Sequence, residues 1–262
     1  MPDATALPST FLWIAAAFLG ASVGSFLNVV IHRVPRGQSI VSPPSACPKC
    51  ERRIRPWENL PLISWLALRG RCAGCGTSIS WRYPLVELLG ALLALGCLWR
   101  FGPTFEALAF FALLAAMLAI AFIDWEFMII PDPISLGFLA LGLALSPFTG
   151  PGILPALVGA LVGGGLLLMV GVVWKKMRGI DAMGGGDIKL MAAVGAFLGA
   201  IEVLLVIFVG AFLGALVGAI VLRRTGQAKI AFGTFLAAAT VIVVFVGDDL
   251  IAWYSGFLTA PR

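Results

Sequence analysis

Charge is what this chain has least of: 18 Lys/Arg and 13 Asp/Glu amount to 12% of its 262 residues, against 60% apolar residues and a mean hydropathy of +1.03. That balance leaves far more apolar surface than a soluble domain of ordinary make-up can bury, and it excludes that class. Met1–Thr10 holds no Lys or Arg, so the basic start of a removable secretory signal is missing and the first apolar run is expected to be retained. No strand precedes the triplet Gly184, Gly185, Gly186 and no Walker spacing follows it, which argues against a phosphate or dinucleotide loop. Repeated halves, expected of a secondary transporter, are not evident either.

What is there is a series of apolar runs: Phe11–Ile31, Leu85–Leu98, Phe105–Ile123, Ile134–Phe148, Ile153–Trp174, Ile188–Ala200, Val203–Leu222 and Ala231–Trp253. A spanning helix needs roughly 20 apolar residues, so these runs predict an all-α polytopic membrane protein of about eight transmembrane helices, some of them short. Ile188–Leu222 is broken only by Glu202, and two crossings fit if Glu202 caps a tight outer turn. Basic residues set the orientation. Lys175, Lys176 and Arg178 precede that stretch, Arg223, Arg224 and Lys229 follow it, and His32–Arg82 carries nine Lys/Arg against Glu51 and Glu58. With these segments inside, both termini lie outside, and the net charge of +5 is a topology signal that needs no nucleic-acid partner. Trp13, Trp81, Trp99, Trp125, Trp174 and Trp253 fall near span ends, at the headgroup level that indoles favour. The chain then divides into a first span (1–31), a cytoplasmic insertion (32–83) and a seven-helix membrane domain (84–262).

Two aspartates stand out from this apolar background. In the predicted topology Asp124 ends the third span going inward and Asp187 begins the sixth going outward, both on the cytoplasmic side. Carboxylates at that depth are costly and point to function. Two that converge can share a proton and activate water, which is how aspartic proteases cut peptide bonds. Gly184 and Gly186 remove side chains just before Asp187, which permits close approach of a substrate strand, though a hinge is the plainer alternative. Asp132, between Pro131 and Pro133, reads as a helix N-cap, with a catalytic partner as the less favoured alternative. Lys189 is placed to favour an ionised carboxylate, to pair with another acid, or simply to snorkel.

Cys47-x2-Cys50-x21-Cys72-x2-Cys75 has the spacing of a tetrahedral structural zinc site. Cytoplasmic redox conditions disfavour disulfides there. Zinc is favoured over reduced, unligated thiols, and a closed four-thiolate site holds the insertion together without cutting peptides. Cys97, alone in the second span, reads as packing. Leu60–Leu68 is too short to span and is expected to pack in the zinc domain or lie on the membrane surface. Small residues four apart, at Gly20/Gly24, Gly159/Gly163, Gly195/Gly199 and Gly210/Gly214/Gly218, predict close helix contacts.

The signature Gly184-Gly-Gly-Asp187-Ile-Lys-Leu-Met, with Asp124 seven residues before Pro131-Asp132, resembles the type IV prepilin peptidases, the leader peptidase and N-methyltransferase family of GxGD-type intramembrane aspartyl proteases. Gly24-Ser-Phe-Leu-Asn-Val-Val-Ile-His-Arg-Val-Pro, the paired cysteines, and Ile79-Ser-Trp-Arg-Tyr-Pro-Leu-Val-Glu are similar to further stretches of that family. Asp181 departs slightly, standing where Glu is expected as often as Asp. The resemblance implies a bifunctional enzyme of the bacterial inner membrane. Such an enzyme cleaves the basic leader of prepilins or pseudopilins on the cytoplasmic side, then methylates the new N-terminus with S-adenosylmethionine.

By the same resemblance Asp124 and Asp187 match the catalytic pair, and the four cysteines match a zinc element. No soluble Rossmann-type methyl-donor fold is spelled out, so the methyl donor rests on resemblance alone. Asn28, Glu58, Arg82 and Glu87 are weak candidates to contact it. Each also has a structural alternative: a bond between helices for Asn28, a solvated acid for Glu58, an interface anchor for Arg82 and a bundle ion pair for Glu87. His32 reads as an interface residue. Glu126 and Asp181 are placed to receive a basic leader. A noncatalytic zinc-bearing scaffold of a secretion or pilus machine explains the insertion but not the paired aspartates, and a secondary transporter would also hold acids inside spans, but near the midplane and not toward one face.

Overall fold

Each apolar run becomes one helix, and most of these helices are apolar all round, as lipid-facing helices are. The computed structural model describes residues 9–149, 151–180, 183–226 and 230–259. In chain order the helices are α1 (Ser9–Arg33), α2 (Ile63–Ala67), α3 (Arg82–Phe101), α4 (Phe105–Phe127), α5 (Asp132–Leu145), α6 (Ile153–Arg178), α7 (Gly185–Leu198), α8 (Ala200–Thr225) and α9 (Phe232–Thr259). Among the described residues there is no named strand, and the protein is an all-α, multi-pass membrane protein. Six helices (α1, α3, α4, α6, α8 and α9) are long and apolar enough to cross a membrane. Two further apolar helices, α5 and α7, have 14 residues each. At 1.5 Å per residue they reach about 21 Å, short of a hydrocarbon core of roughly 30 Å. The eight expected spans are thus six full-length helices and two short ones. All six tryptophans expected at span ends have exposed side chains.

The chain falls into two compact units, Met1–Phe111 and Ala112–Arg262. In the first, α1 packs on α3 through small residues. A Cβ on Gly20 or Gly90 would strike main chain of the opposite helix, and one on Gly24 would strike that of Val86 and Glu87. Backbones can touch there because no side chain intervenes, the usual device where no hydrophobic effect drives association. Asn28 adds a bond between helices, donating from Nδ2 to the Tyr83 carbonyl at 3.1 Å. Cys97 is a packing residue, 1% exposed.

In the second unit α6 and α7 run antiparallel, Gly159 meeting Gly195 and Gly199, and Gly163 meeting Met191. The chain reverses at Gly199, whose φ of +96° is easy only for glycine. The turn therefore comes three residues before the expected one, and Glu202 lies in the first turn of α8. Opposite α8 runs α9, with Gly210 beside Leu236 and Gly218 beside Ile230. Parallel to α7 runs α5: Asp132 meets Lys189 and Gly142 meets Phe197. Asp124 near the end of α4 meets Thr234 near the start of α9. The end of α4 and the starts of α5, α7 and α9 therefore gather at one end of this unit. Of the six long helices α4 is the most enclosed, with 72% of its apolar window buried against 22–44% for the rest. Asp124 thus sits on the helix least available to lipid.

Candidate active site and cysteine cluster

Asp124 and Asp187 are buried, at 5% and 8% exposure, and both line one cavity of about 720 Å³. Its other walls come from Met128, Ile129 and Ile130 after α4, Met183, Gly184 and Gly186 before and within α7, and Ile230, Ala231 and Phe232 leading into α9. Asp187 lies in the first turn of α7, close enough to Asp124 to interact with it electrostatically. The remaining lining residues carry no charged side chain, so the two carboxylates are the cavity's only ionisable groups among the described residues.

Local sequence explains why the helix ends come this close. Ile130 is wedged between two glycines: a Cβ on Gly186 would stand 2.8 Å from its Cβ, and one on Gly233 would press on its Cδ1 at 2.6 Å. Gly233 also lies against Asp124, since a Cβ there would be 3.0 Å from Asp124 Oδ2. Any larger residue at 186 or 233 pushes the wall into the cavity or the carboxylate. Thr234, which the sequence reading missed, holds Asp124 directly. Its backbone N–H donates to Asp124 Oδ2 at 2.9 Å, and its hydroxyl bonds the Ala121 carbonyl at 3.0 Å while standing 3.5 Å from Asp124 Oδ2. The start of α9 thereby orients the carboxyl of α4 by charge-assisted bonding. A threonine at the head of an apolar run has no sequence mark of this role; it is found only once α9 meets α4.

Of the other expected site residues, Gly184 and Gly186 line the cavity and Lys189 does not. Lys189 Nζ binds both carboxylate oxygens of Asp132 at 2.7 Å, the alternative of pairing with another acid. Asp132 is not the N-cap: Pro131 holds that position, and the Asp132 side chain caps nothing. The Ile134 and Ser135 N–H groups that a capping carboxylate would take bond the Pro131 carbonyl instead, and a charged donor, Lys189, is within reach of Asp132. Glu126 is exposed at the end of α4 and outside the cavity lining. Asp181 lies outside the described residues, as does Lys229.

The cysteine cluster belongs to the first unit and is built from two matching hairpin turns. Cys47 N–H bonds Arg52 O, and Glu51 N–H bonds Cys47 O; 25 residues on, Cys72 N–H bonds Thr77 O and Gly76 N–H bonds Cys72 O. Each turn is closed by one bridge, Ala46–Arg53 and Arg71–Ser78. Each also puts the residue after its second cysteine at positive φ, Glu51 at +57° and Gly76 at +69°. The four Sγ atoms lie within 4.8 Å of one another, and the Cys47 and Cys75 sulfurs are 3.8 Å apart. A tetrahedron with metal–sulfur bonds of about 2.3 Å has edges of about 3.8 Å. The set therefore fits zinc, whereas a disulfide needs about 2 Å. Backbone N–H groups of Cys50 and Lys49 aimed at Cys47 bring its thiol down to about 6. Those of Cys75 and Gly74 lower Cys72. At Cys50 the Arg52 N–H pulls the other way, but burial and the neighbouring thiols push it up to about 11.

Comparison with known proteins now bears on the pair of carboxylates. Residues 18–101 match the Bacterial Peptidase A24 N-terminal domain and residues 111–219 the Type IV leader peptidase family. A Burkholderia pseudomallei (strain 1026b) protein named Prepilin leader peptidase/N-methyltransferase is 38% identical, covering 96% of this chain and 91% of its own. Relatives of the same printed name occur in Neisseria gonorrhoeae, 37% identical over 100% of this chain and 99% of theirs, and in Myxococcus xanthus (strain DK1622), 45% identical over 86% and 68%. The chain belongs to the type IV leader peptidase family. No solved structure matches it. In this family member the N-terminal domain match covers α1, the cysteine cluster and α3, and the peptidase match covers both cavity aspartates.

The four residues considered for the methyl donor all lie in the first unit: the carboxylates of Glu58 and Glu87 are engaged by protein, whereas Asn28 is engaged only through Nδ2, its buried Oδ1 having no partner among the described residues. Glu58 receives Arg52 at 2.6 and 2.7 Å, so it is not a solvated acid. Glu87 accepts the Leu62 N–H at 2.7 Å and makes a bundle bond to backbone, not an ion pair. Asn28 donates to Gly24 and Tyr83. Arg82 stands 5.7 Å from the Tyr83 ring. The bonds of Glu58 and Glu87 are structural ones within the insertion and between it and α3.

Proposed function

We propose that this leader peptidase cleaves the basic leader of type IV prepilins or pseudopilins by aspartyl hydrolysis, with Asp124 and Asp187 as the catalytic pair. The observation that carries this is two buried carboxylates, from α4 and α7, on one cavity in which, among the described residues, no other side chain is ionisable. The scissile peptide lies across the cavity with a water between it and the pair. One ionised aspartate takes a proton from that water while the protonated partner donates to the carbonyl oxygen. The resulting gem-diol collapses and the leaving amine takes a proton. Because the pair titrates as a unit, base and acid are roles of the dyad. Thr234 keeps the Asp124 carboxyl aimed at the shared water, and Gly184 and Gly186 leave room for the substrate backbone. Glu126 and Asp181 are proposed to receive the basic leader.

The same reading places the protein in the bacterial inner membrane, with cavity and cysteine cluster cytoplasmic and both termini periplasmic, and divides it into a first span (1–31), a zinc-binding insertion (32–83) and a seven-helix peptidase domain (84–262). Zinc held by Cys47, Cys50, Cys72 and Cys75 supplies cross-linking, not a nucleophile. N-methylation with S-adenosylmethionine follows from the activity printed for the relatives, and no residue is assigned to it. The test is prepilin cleavage by purified Asp124→Asn and Asp187→Asn variants that insert normally. Cleavage by either variant near the parent rate removes that residue from the mechanism.

A further inference from the structure

The stretch between the two cysteine turns is apolar, yet the first unit does not bury it. Trp57 is 62% exposed, Ile63 62% and Leu66 67%, with Leu60 at 40%. The four share a place, because the short 3-10 turn Pro56–Asn59 packs on α2. Helix α2 has two different faces. Trp65 turns inward, its indole lying on Gly70 and its N–H reaching the Ile79 carbonyl at 3.4 Å. Ile63 and Leu66, three apart and so on one side, turn outward.

Where this segment sits is fixed by one part-buried bond to α3. Leu62 stands at φ +61°, ψ −48° with Ile63 N–H bonded back to Pro61 O at 2.6 Å, a tight and sparsely populated γ-turn. That turn presents the Leu62 N–H to Glu87, whose carboxylate accepts it at 2.7 Å. Strained backbone persists only where its surroundings hold it, and a buried carboxylate does so here. Glu87 is five residues into α3, about 7–8 Å along the helix from its start, and it lies against Gly24 of α1, nine residues before the end of that helix. The chain therefore dips beside two spans to well below their ends. The headgroup zone on one side of a bilayer is only about 5–8 Å thick. With exposed Trp81 and Tyr83 marking the interface at the start of α3, Leu62 is at the boundary of headgroups and acyl chains.

We propose that Trp57, Leu60, Ile63 and Leu66 insert into the lipid leaflet beside α1 and α3, so that the segment between the cysteine pairs is an interfacial anchor. The charge around it suits that partner. Arg53, Arg55, Arg69 and Arg71 are exposed on the same insertion, and the Arg55 guanidinium lies 5.5 Å from the Trp57 ring, at the level where anionic headgroups meet basic side chains. The anchor fixes the cysteine cluster against the membrane at two points, the spans and the buried apolar face.

The full chain in phosphatidylcholine and phosphatidylglycerol nanodiscs tests this. Trp57 emission, taken as the difference between the parent and Trp57→Phe, is measured with acyl chains brominated close to the headgroup and with aqueous acrylamide. Most of the Trp57 signal is expected to be lost to the brominated lipid and little to acrylamide. An Ile63→Asp, Leu66→Asp double variant is expected to reverse that pattern. Trp57 emission that ignores brominated lipid overturns the proposal, whether acrylamide quenches it or an added prepilin peptide shields it. Quenching by lipid that is unchanged in the double variant overturns it equally, since the apolar face would then not be what inserts.

Discussion

Carboxylates are used in two different ways in the two units. In the first, Glu58 is closed by Arg52 and Glu87 by the Leu62 N–H, and each bond shapes the insertion. In the second, Asp132 is closed by Lys189, but Asp124 and Asp187 face a cavity together with no basic residue in its lining among the described residues. Burying two carboxylates on one cavity costs desolvation and mutual repulsion, and a merely structural pair of this kind would be selected away. The contrast separates charge spent on architecture from charge kept for chemistry, and neither depth nor a backbone donor makes it, since Glu87 is as buried as Asp187 at 8% and Asp124 accepts the Thr234 N–H as Glu87 accepts that of Leu62; what differs is that the pair shares one cavity.

The hardest test of that contrast is the pair itself. Asp124→Asn or Asp187→Asn is expected to lower leader cleavage by about 10²–10⁴-fold, the usual worth of a positioned acid or base. The double variant should be no worse than the poorer single one, because groups acting as a unit are not additive. Single-turnover cleavage of a prepilin by the three variants measures both. Independent, multiplying effects would mean two separate roles and not a shared water.

Next in size is the cluster. Elemental analysis is expected to find one zinc per chain in the parent and none in Cys47→Ser, whose residues 44–80 should become sensitive to protease, because a four-thiolate site contributes folding energy outright. Cleavage should fall less than in the aspartate variants, since the cluster binds no reacting atom. A loss of cleavage as deep as theirs, with zinc retained, would blur the division between a structural and a chemical unit.

These two features were legible in the sequence for the same reason: each is a chemical exception in its surroundings, two acids in an apolar chain and four thiols at metal spacing. Everything that positions them was not legible. Thr234 is 110 residues from Asp124, and Lys189 is 57 from Asp132. No local pattern marks a bond that exists only after helices meet. Asp132 between two prolines looked like a cap because local chemistry favours one, and a tertiary cation outcompeted it. The reversal at Gly199 was displaced to Glu202 by reading charge, where backbone φ decides. The number of apolar helices was readable from hydropathy, and so was the shortness of α5 and α7, whose runs Ile134–Phe148 and Ile188–Ala200 come close to the 14 residues of each helix.

Thr234→Val should have an intermediate effect. It removes the hydroxyl that bonds Ala121 O and stands near Asp124 Oδ2 while keeping the N–H bond and the side-chain volume. Losing one such bond costs about 1 kcal/mol, roughly fivefold in the cleavage rate if the carboxyl loses its aim. A change in kcat with KM preserved, together with recovery in Thr234→Ser, identifies positioning; a change in KM alone assigns Thr234 to substrate binding instead.

The smallest effect should come from the acid that is paired. Asp132 and Lys189 are 54% and 38% exposed at their side chains, and an ion pair that wet contributes about 0–1 kcal/mol. Asp132→Asn and Lys189→Met should each leave cleavage within a few-fold of the parent, and the double variant should show a coupling energy no larger than that range. The comparison is sharpened because Asp132 and Asp187 sit at the starts of neighbouring parallel helices, so their difference lies in what each faces. Should Asp132→Asn prove as damaging as Asp187→Asn while Lys189→Met is silent, the carboxylate would be acting without its cation, and the rule that paired acids are architectural would fail at its nearest control.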